Sequence, residues 1–400
     1  MVTQITPQKE GYPRKMKDII LNKSAFYLYT VIIIILSVVL WYNFNSPPIA
    51  ANTGFPVNIF RYVNHFYLPF NFYSWPVSFN PMVSYLPGTM LMSFFSLLAD
   101  NNYSVSYFIY NIFFEVMGGM TLFYLSSEFL SKYKIPPVYS MLSVVFYAFN
   151  VALILDSGTF ETGTAQLIII IFLIYMSIYR SKYYIFLLGF ASFFIMYPFP
   201  GGGADGGLIL IEEFIFVILV FLIRNAYDLI RIRGKLTSLF LLMLSMGASV
   251  ALSLSYLVFI IFASGSKLLE QSVSLHPVYV FGFIYDWISV FPNAIRLIGN
   301  WGVYTVYAGP WVSSYLANPL ISVLLYVVPF LSVMSIIFLK REHYYIFFLM
   351  ILSMFAATTV NPPFGNIFEA VILKVGPLRA FYESASYYPI LITFYSLLFP

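Results

Sequence analysis

The chain is a succession of apolar runs separated by polar connectors. The runs fall at about 25–43, 82–99, 105–126, 138–155, 163–179, 183–199, 208–223, 237–263, 318–339, 344–359 and 389–400. Most approach the roughly 20 residues an α-helix needs to cross a bilayer. Stretches such as "VIIIILSVVLWY" (31–42) are continuously apolar, whereas a membrane barrel needs short strands of alternating character. The pattern predicts an all-α, polytopic integral membrane protein with about 10–11 transmembrane helices.

Composition agrees. Of the 400 residues 60% are hydrophobic and 9% charged, against roughly 25% charged in a soluble domain, so the chain lacks the polar surface to remain dissolved. No polar stretch is long enough for a separate soluble domain. The expected organisation is a cytoplasmic segment, 1–24, followed by one transmembrane helical domain, 25–400. More than twenty polar or mixed residues precede the first run and no A-x-A site follows it, so that run reads as a retained anchor, not a cleaved signal. The absence of cysteine excludes disulfides, thiol catalysis and thiolate metal sites. No basic block of the kind that binds nucleic acid occurs.

The charges orient the chain. Lys9, Arg14, Lys15, Lys17 and Lys23 precede the first run, and later connectors carry Lys132 and Lys134, Arg180 and Lys182, Arg224 to Lys235, and Lys340 and Arg341. Placing these inside satisfies the positive-inside rule and predicts a multi-pass plasma-membrane protein with a cytoplasmic N-terminus. The external side then holds the connectors at Asp156 and Asp205 and the long aromatic loops 44–81, 264–317 and 360–388. Residues 25–126 must make an even number of crossings although they contain three runs. The stretch 82–99, broken at Pro87-Gly88, dips and returns, or the aromatic segment 55–79 crosses as well, or a later hairpin does not cross. The rings of 44–81, Trp75 among them, suit helices lying in the headgroup layer.

Few residues can carry chemistry. Glu115 stands within an apolar run, with Asn111 one turn earlier on the same face. A carboxylate in hydrocarbon costs a few kcal/mol on insertion scales, about 2.5–3.5 for acidic or basic side chains at a helix centre, so it faces a cavity or a partner. This pair is either a proton- or substrate-coupled site or a hydrogen-bonded packing device. "DSGTFETG" (156–163) offers Asp156 and Glu161, and "YPFPGGGADGG" (197–207) offers Asp205 beside flexible glycines. Such carboxylates can act as acid or base or as oxygen ligands for Mg²⁺ or Mn²⁺. Both stretches also read as tight turns. The histidines, His65, His276 and His343, show no metal spacing, and no peptidase motif occurs. "GPLRAFYESASYY" (376–388) sets Arg379 and Glu383 one turn apart among aromatic rings. A guanidinium grips phosphate by paired hydrogen bonds, and Arg61 and Arg296 share the predicted external side.

The layout, with the segment "NPPFGNIFEAVILKVGPLRAFYESASYY" (361–388), resembles the GT-C superfamily of membrane glycosyltransferases. The likeness is to the arabinofuranosyltransferase-like membrane module and its YfhO-like relatives. The matching positions are Asn361, Pro362, Gly365, Pro377, Arg379 and Phe381. The resemblance implies an isoprenoid-phosphate sugar as donor, its phosphate held by Arg379 with Arg61 and Arg296, and a glycan or glycoprotein acceptor. It places Asp156, Glu161 or Asp205 as acid, base or cation ligand, and His65, Trp75, Asn361 and Glu383 along the substrate. The superfamily's acidic residue in the first external loop has no counterpart, since residues 19–99 contain no Asp or Glu. Two other functions stay open: a transporter or lipid flippase built around Glu115, favoured by the Pro-Gly and poly-Gly breaks, and a non-catalytic subunit of a membrane complex.

Overall fold

The computed structural model describes residues 27–28, 31–32, 34–35, 94–95, 97–100, 103–150, 159–179, 290–298, 318–359, 361–374 and 387–400. Among these residues every element is helical and no strand occurs. The longest helix, α1, covers Tyr103–Ser131, 29 residues, or about 43 Å at 1.5 Å per residue. It runs on past the end of the apolar stretch 105–126 at Ser126, through Ser127 and Glu128 to Ser131. The serines are tolerated because the next helix supplies partners: Ser126 Oγ lies 2.7 Å from Ser143 Oγ, and Ser127 Oγ donates to Ser140 Oγ at 2.9 Å. Small hydroxyl residues let two backbones approach closely while satisfying each other.

α1 ends in a turn that the sequence does not advertise. Ile135 N–H donates to Leu130 O and Lys134 N–H to Ser131 O, the paired bonds that close a helix around a left-handed residue. Lys134, at φ 61°, takes the place glycine usually holds. Pro136 and Pro137 then stop any continuation, and a single 3₁₀ turn, Pro137–Tyr139, leads into α2, Ser140–Phe149. α2 returns antiparallel to α1 and stops at an extended Asn150, whose Nδ2 donates to Tyr147 O at 2.8 Å. It is shorter than the expected 138–155.

α3, Thr159–Tyr179, begins before the apolar run at 163 and takes in Glu161. It lies parallel to α1. Tyr124 meets Phe172 edge-on at 5.3 Å, and at the level of Gly118 the helices are so close that a Cβ there would overlap Tyr147 Oη and sit 2.9 Å from Ala165 Cβ.

The expected loop 264–317 contains a short helix, α4, Phe291–Ile295, with Pro292 in its first turn. Residues 290–298 are no open loop: Ala294, Leu297 and Ile298 join the core, because "FPNAIRLI" carries enough apolar side chains to insert. Next come α5, Pro319–Leu324, and α6, Val327–Met334, separated by one tight turn and extended by a 3₁₀ turn, Ser335–Ile337. The Asn318 side chain caps α5, accepting from Leu320 N at 3.0 Å and Ile321 N at 3.4 Å, with Pro319 in the first position. α7, Tyr344–Ala356, follows a 3₁₀ turn at Arg341–His343. Ten residues of the expected loop 360–388 form α8, Gly365–Lys374. The last helix is α9, Tyr388–Leu398.

α9 is the axis of the core. All eleven of its residues are buried, and it packs against α3, α7, α2, α6 and α1. Its hydroxyls are satisfied within the helix: Thr393 Oγ1 donates to Pro389 O and Ser396 Oγ to Ile392 O. The stretch Pro319–Ile337 is the reverse. Among the described residues it is the one helix long and apolar enough to cross a membrane, yet only 11% of it is buried within the protein. Leu320, Val323, Leu324, Phe330 and Ile337 stand exposed, as does Phe338, at 77%.

Candidate functional site

The bundle has two distinct ends. At one, α1 finishes and α7 begins, so the connectors bearing Lys132, Lys134, Lys340 and Arg341 lie together. Tyr133 Oη is 2.6 Å from His343 Nδ1 and accepts from Lys340 N–H at 3.1 Å. Lys340 Nζ donates to Lys132 O at 2.5 Å and lies 5.2 Å from the centroid of the Tyr133 ring. Phe129 meets the His343 imidazole edge-on at 5.1 Å. These contacts tie together residues more than 200 positions apart. Beside them opens a cavity of about 120 Å³, lined by α1, α3, α7 and α9, with Glu128, Lys132 and His343 among its lining residues.

At the opposite end the segment 290–298 meets the turn after α7. Phe291 stacks on Phe355 at 5.6 Å, and Phe355 meets Phe364 edge-on at 4.9 Å. The turn is internally bonded: Thr358 Oγ1 donates to Phe355 O at 2.6 Å, and Asn361 N–H donates to Thr358 O at 3.0 Å. Thr359, at φ 52°, makes the reversal, and a cis bond joins Pro362 to Pro363. Asn361 is buried in this turn.

Arg296 stands on the same side. Its Nε donates to Pro292 O at 2.9 Å, one terminal nitrogen to Ser322 Oγ at 2.5 Å and the other to Asn293 Oδ1 at 2.7 Å. The guanidinium also lies 4.9 Å above the Tyr326 ring. The side chain thereby fastens the 290–298 segment to α5. It is engaged with the protein, where sequence reasoning expected a grip on lipid phosphate.

Glu115 sits inside the bundle on α1, 1% exposed, one turn from the close crossing at Gly118. Asn111 lies on α1 four residues earlier, and Glu161 in the first turn of α3. Close to that crossing α3 buries Thr164 and Gln166, and neither Gln166 amide atom has a hydrogen-bond partner among the described residues. Sequence reasoning passed over these two because they are uncharged residues within the apolar run 163–179.

Asp156, Asp205, Arg61, His65, Trp75, Arg379 and Glu383 lie outside the described residues. Of the expected site residues, Arg296 and Asn361 come to one end of the bundle, and Glu115 lies in its interior. Among the described residues no group of three or more His, Asp or Glu side chains is placed to hold a metal ion. Tyr133 was missed altogether. The one signal for the cluster around it was the pair of basic connectors at 132–134 and 340–341. No protein-family model, curated protein or solved structure matches the chain.

Proposed function

We propose that the chain is a polytopic membrane protein that handles a lipid-borne phosphate at its external face, as a GT-C-like glycosyltransferase. The membrane reading is supported by the apolar exterior. Large side chains including Leu320, Val323, Leu324, Phe330, Ile337, Phe338 and Phe348 are exposed, and exposed apolar patches on this scale mark a surface that meets a partner or a membrane. In hydrocarbon it carries no penalty.

One observation carries the transferase reading. Two segments remote in sequence, the Arg296 segment and the Asn361 turn, are brought together by Phe291, Phe355 and Phe364 at the end opposite the clustered lysines. In the sequence, that turn and α8 precede Arg379. In the proposed reaction an acceptor hydroxyl attacks the anomeric carbon of an isoprenoid-phosphate sugar. The carbon–oxygen bond to phosphate breaks, and the lipid phosphate leaves with its charge stabilised by Arg379. A carboxylate, Asp156, Glu161 or Asp205, takes the hydroxyl proton. Arg296 holds the segment in place.

Native mass spectrometry of the purified chain with an isoprenoid-phosphate sugar, wild type against Arg379→Ala, tests the reading. Retention by the wild type and its loss in the variant are expected. Equal retention by both, or by neither, would overturn the phosphate grip.

Burial of Glu115 at the α1–α3 crossing favours a second reading, transport or lipid flipping through the bundle. Under that reading Glu115→Gln abolishes substrate movement in proteoliposomes. Under the first it leaves sugar transfer in place.

A further inference from the structure

The cavity at the lysine-bearing end lies opposite the proposed transferase end and needs its own explanation. Its walls are apolar: Leu125 and Phe129 from α1, Ile346 and Leu349 from α7, Phe394 and Leu397 from α9. Its volume, about 120 Å³, approaches that of a dry cavity of roughly 150 Å³ that takes a benzene-sized guest. A stretch of hydrocarbon chain fits, and a headgroup does not. The mouth is charged. Lys132 belongs to the lining, and the Lys340 ammonium is fastened to the Lys132 carbonyl. Lys134 and Arg341 are exposed on the same two connectors. Glu128, the one acidic residue of the lining, accepts from Tyr124 Oη at 3.2 Å. Lys132 thus lines an oily pocket beside Glu128, and the two connectors next to it carry Lys134, Lys340 and Arg341 against Glu342.

We propose that this pocket binds one anionic phospholipid of the leaflet facing the basic connectors, the inner leaflet under the positive-inside orientation. Part of an acyl chain enters between α1, α7 and α9, and the phosphate rests on Lys132 and Lys340. Basic pockets between membrane helices on the cytoplasmic side recognise acidic headgroups by this combination of charge and apolar depth. The Tyr133–His343 contact holds the two connectors together, so the lysines arrive at the mouth already paired. The proposal rests on the membrane reading and is independent of the transferase chemistry at the other end.

The test is native mass spectrometry of the delipidated full chain with phosphatidylglycerol or phosphatidylcholine of identical acyl chains. The wild type is expected to retain phosphatidylglycerol preferentially. Replacing both lysines (Lys132→Gln with Lys340→Gln) lowers that retention about thirtyfold, the effect expected of two interfacial cations. The double arginine variant keeps the preference, which separates charge from fold. Leu349→Trp, filling the pocket, lowers retention of both lipids. Equal retention of the two lipids by the wild type overturns the proposal, as does full preference in the glutamine variant. Alkaline carbonate washing of membranes separates the two failures. A chain that washes off ends the membrane reading and this site with it, whereas one that resists washing yet shows no lipid preference ends the site alone.

Discussion

Replacing Arg296 by lysine asks whether that side chain is a fastener or a ligand. The guanidinium directs three of its five N–H groups into Pro292 O, Asn293 Oδ1 and Ser322 Oγ. A lysine keeps the charge and its place near the Tyr326 ring, but an ammonium lacks the planar fork and retains at most one of those bonds. Two lost bonds, each worth a net of about 1 kcal/mol, weaken the closed segment by about 2 kcal/mol. Local opening governs exchange of protected amides, so about 2 kcal/mol corresponds to roughly thirtyfold faster exchange. The reporters are the amides of Ala294, Leu297 and Ile298, which donate to Val290 O, Ala294 O and Asn293 O. Hydrogen exchange read by mass spectrometry over 290–298 measures the change, with buried α9 as internal reference. Unaltered exchange in the Arg296→Lys protein would refute the fastening role. Equal acceleration in α9 would show a global loss of stability and refute the local argument.

Gly118→Val forces side-chain atoms into Tyr147 and Ala165, and overpacking of this kind costs about 1–3 kcal/mol. Denaturant titration should show it, and unchanged stability would mean α1 and α3 do not approach this closely. Lys134→Gly relieves a left-handed lysine and should stabilise the chain by about 1 kcal/mol, seen as a raised unfolding midpoint; a lowered midpoint would contradict the closing geometry of α1. Tyr133→Phe removes the partner of His343 and of Lys340 N–H. A loss of about 1–2 kcal/mol and faster exchange over 340–343 are expected, and unchanged exchange there would rule out the clasp between connectors.

The apolar runs located α1, α3, α5–α6, α7 and α9 to within a few residues, because a long apolar run offers its backbone no cheaper way to satisfy its polar groups than a helix. Ends that depended on a neighbour were misjudged. α1 continues through Ser126 and Ser127 only because Ser143 and Ser140 await them, and the loops 264–317 and 360–388 hid α4 and α8. Burial of Glu115 was legible, since a lone carboxylate in an apolar run has few other places to go. The employment of Arg296 was not, because Ser322 and Tyr326 reach it from another helix, and neither was the joining of Tyr133 to His343 across 210 positions.

By itself, the sequence determined that the described residues are helical, that apolar runs recur along the chain and that alternate connectors are basic. It could not distinguish α9 from the stretch Pro319–Ile337. Both are apolar, yet one is wholly buried in protein and the other is 11% buried. Hydropathy records aversion to water, and a neighbouring helix or a lipid chain relieves that aversion equally well. Only shape and contact in three dimensions decide which apolar helix its neighbours cover.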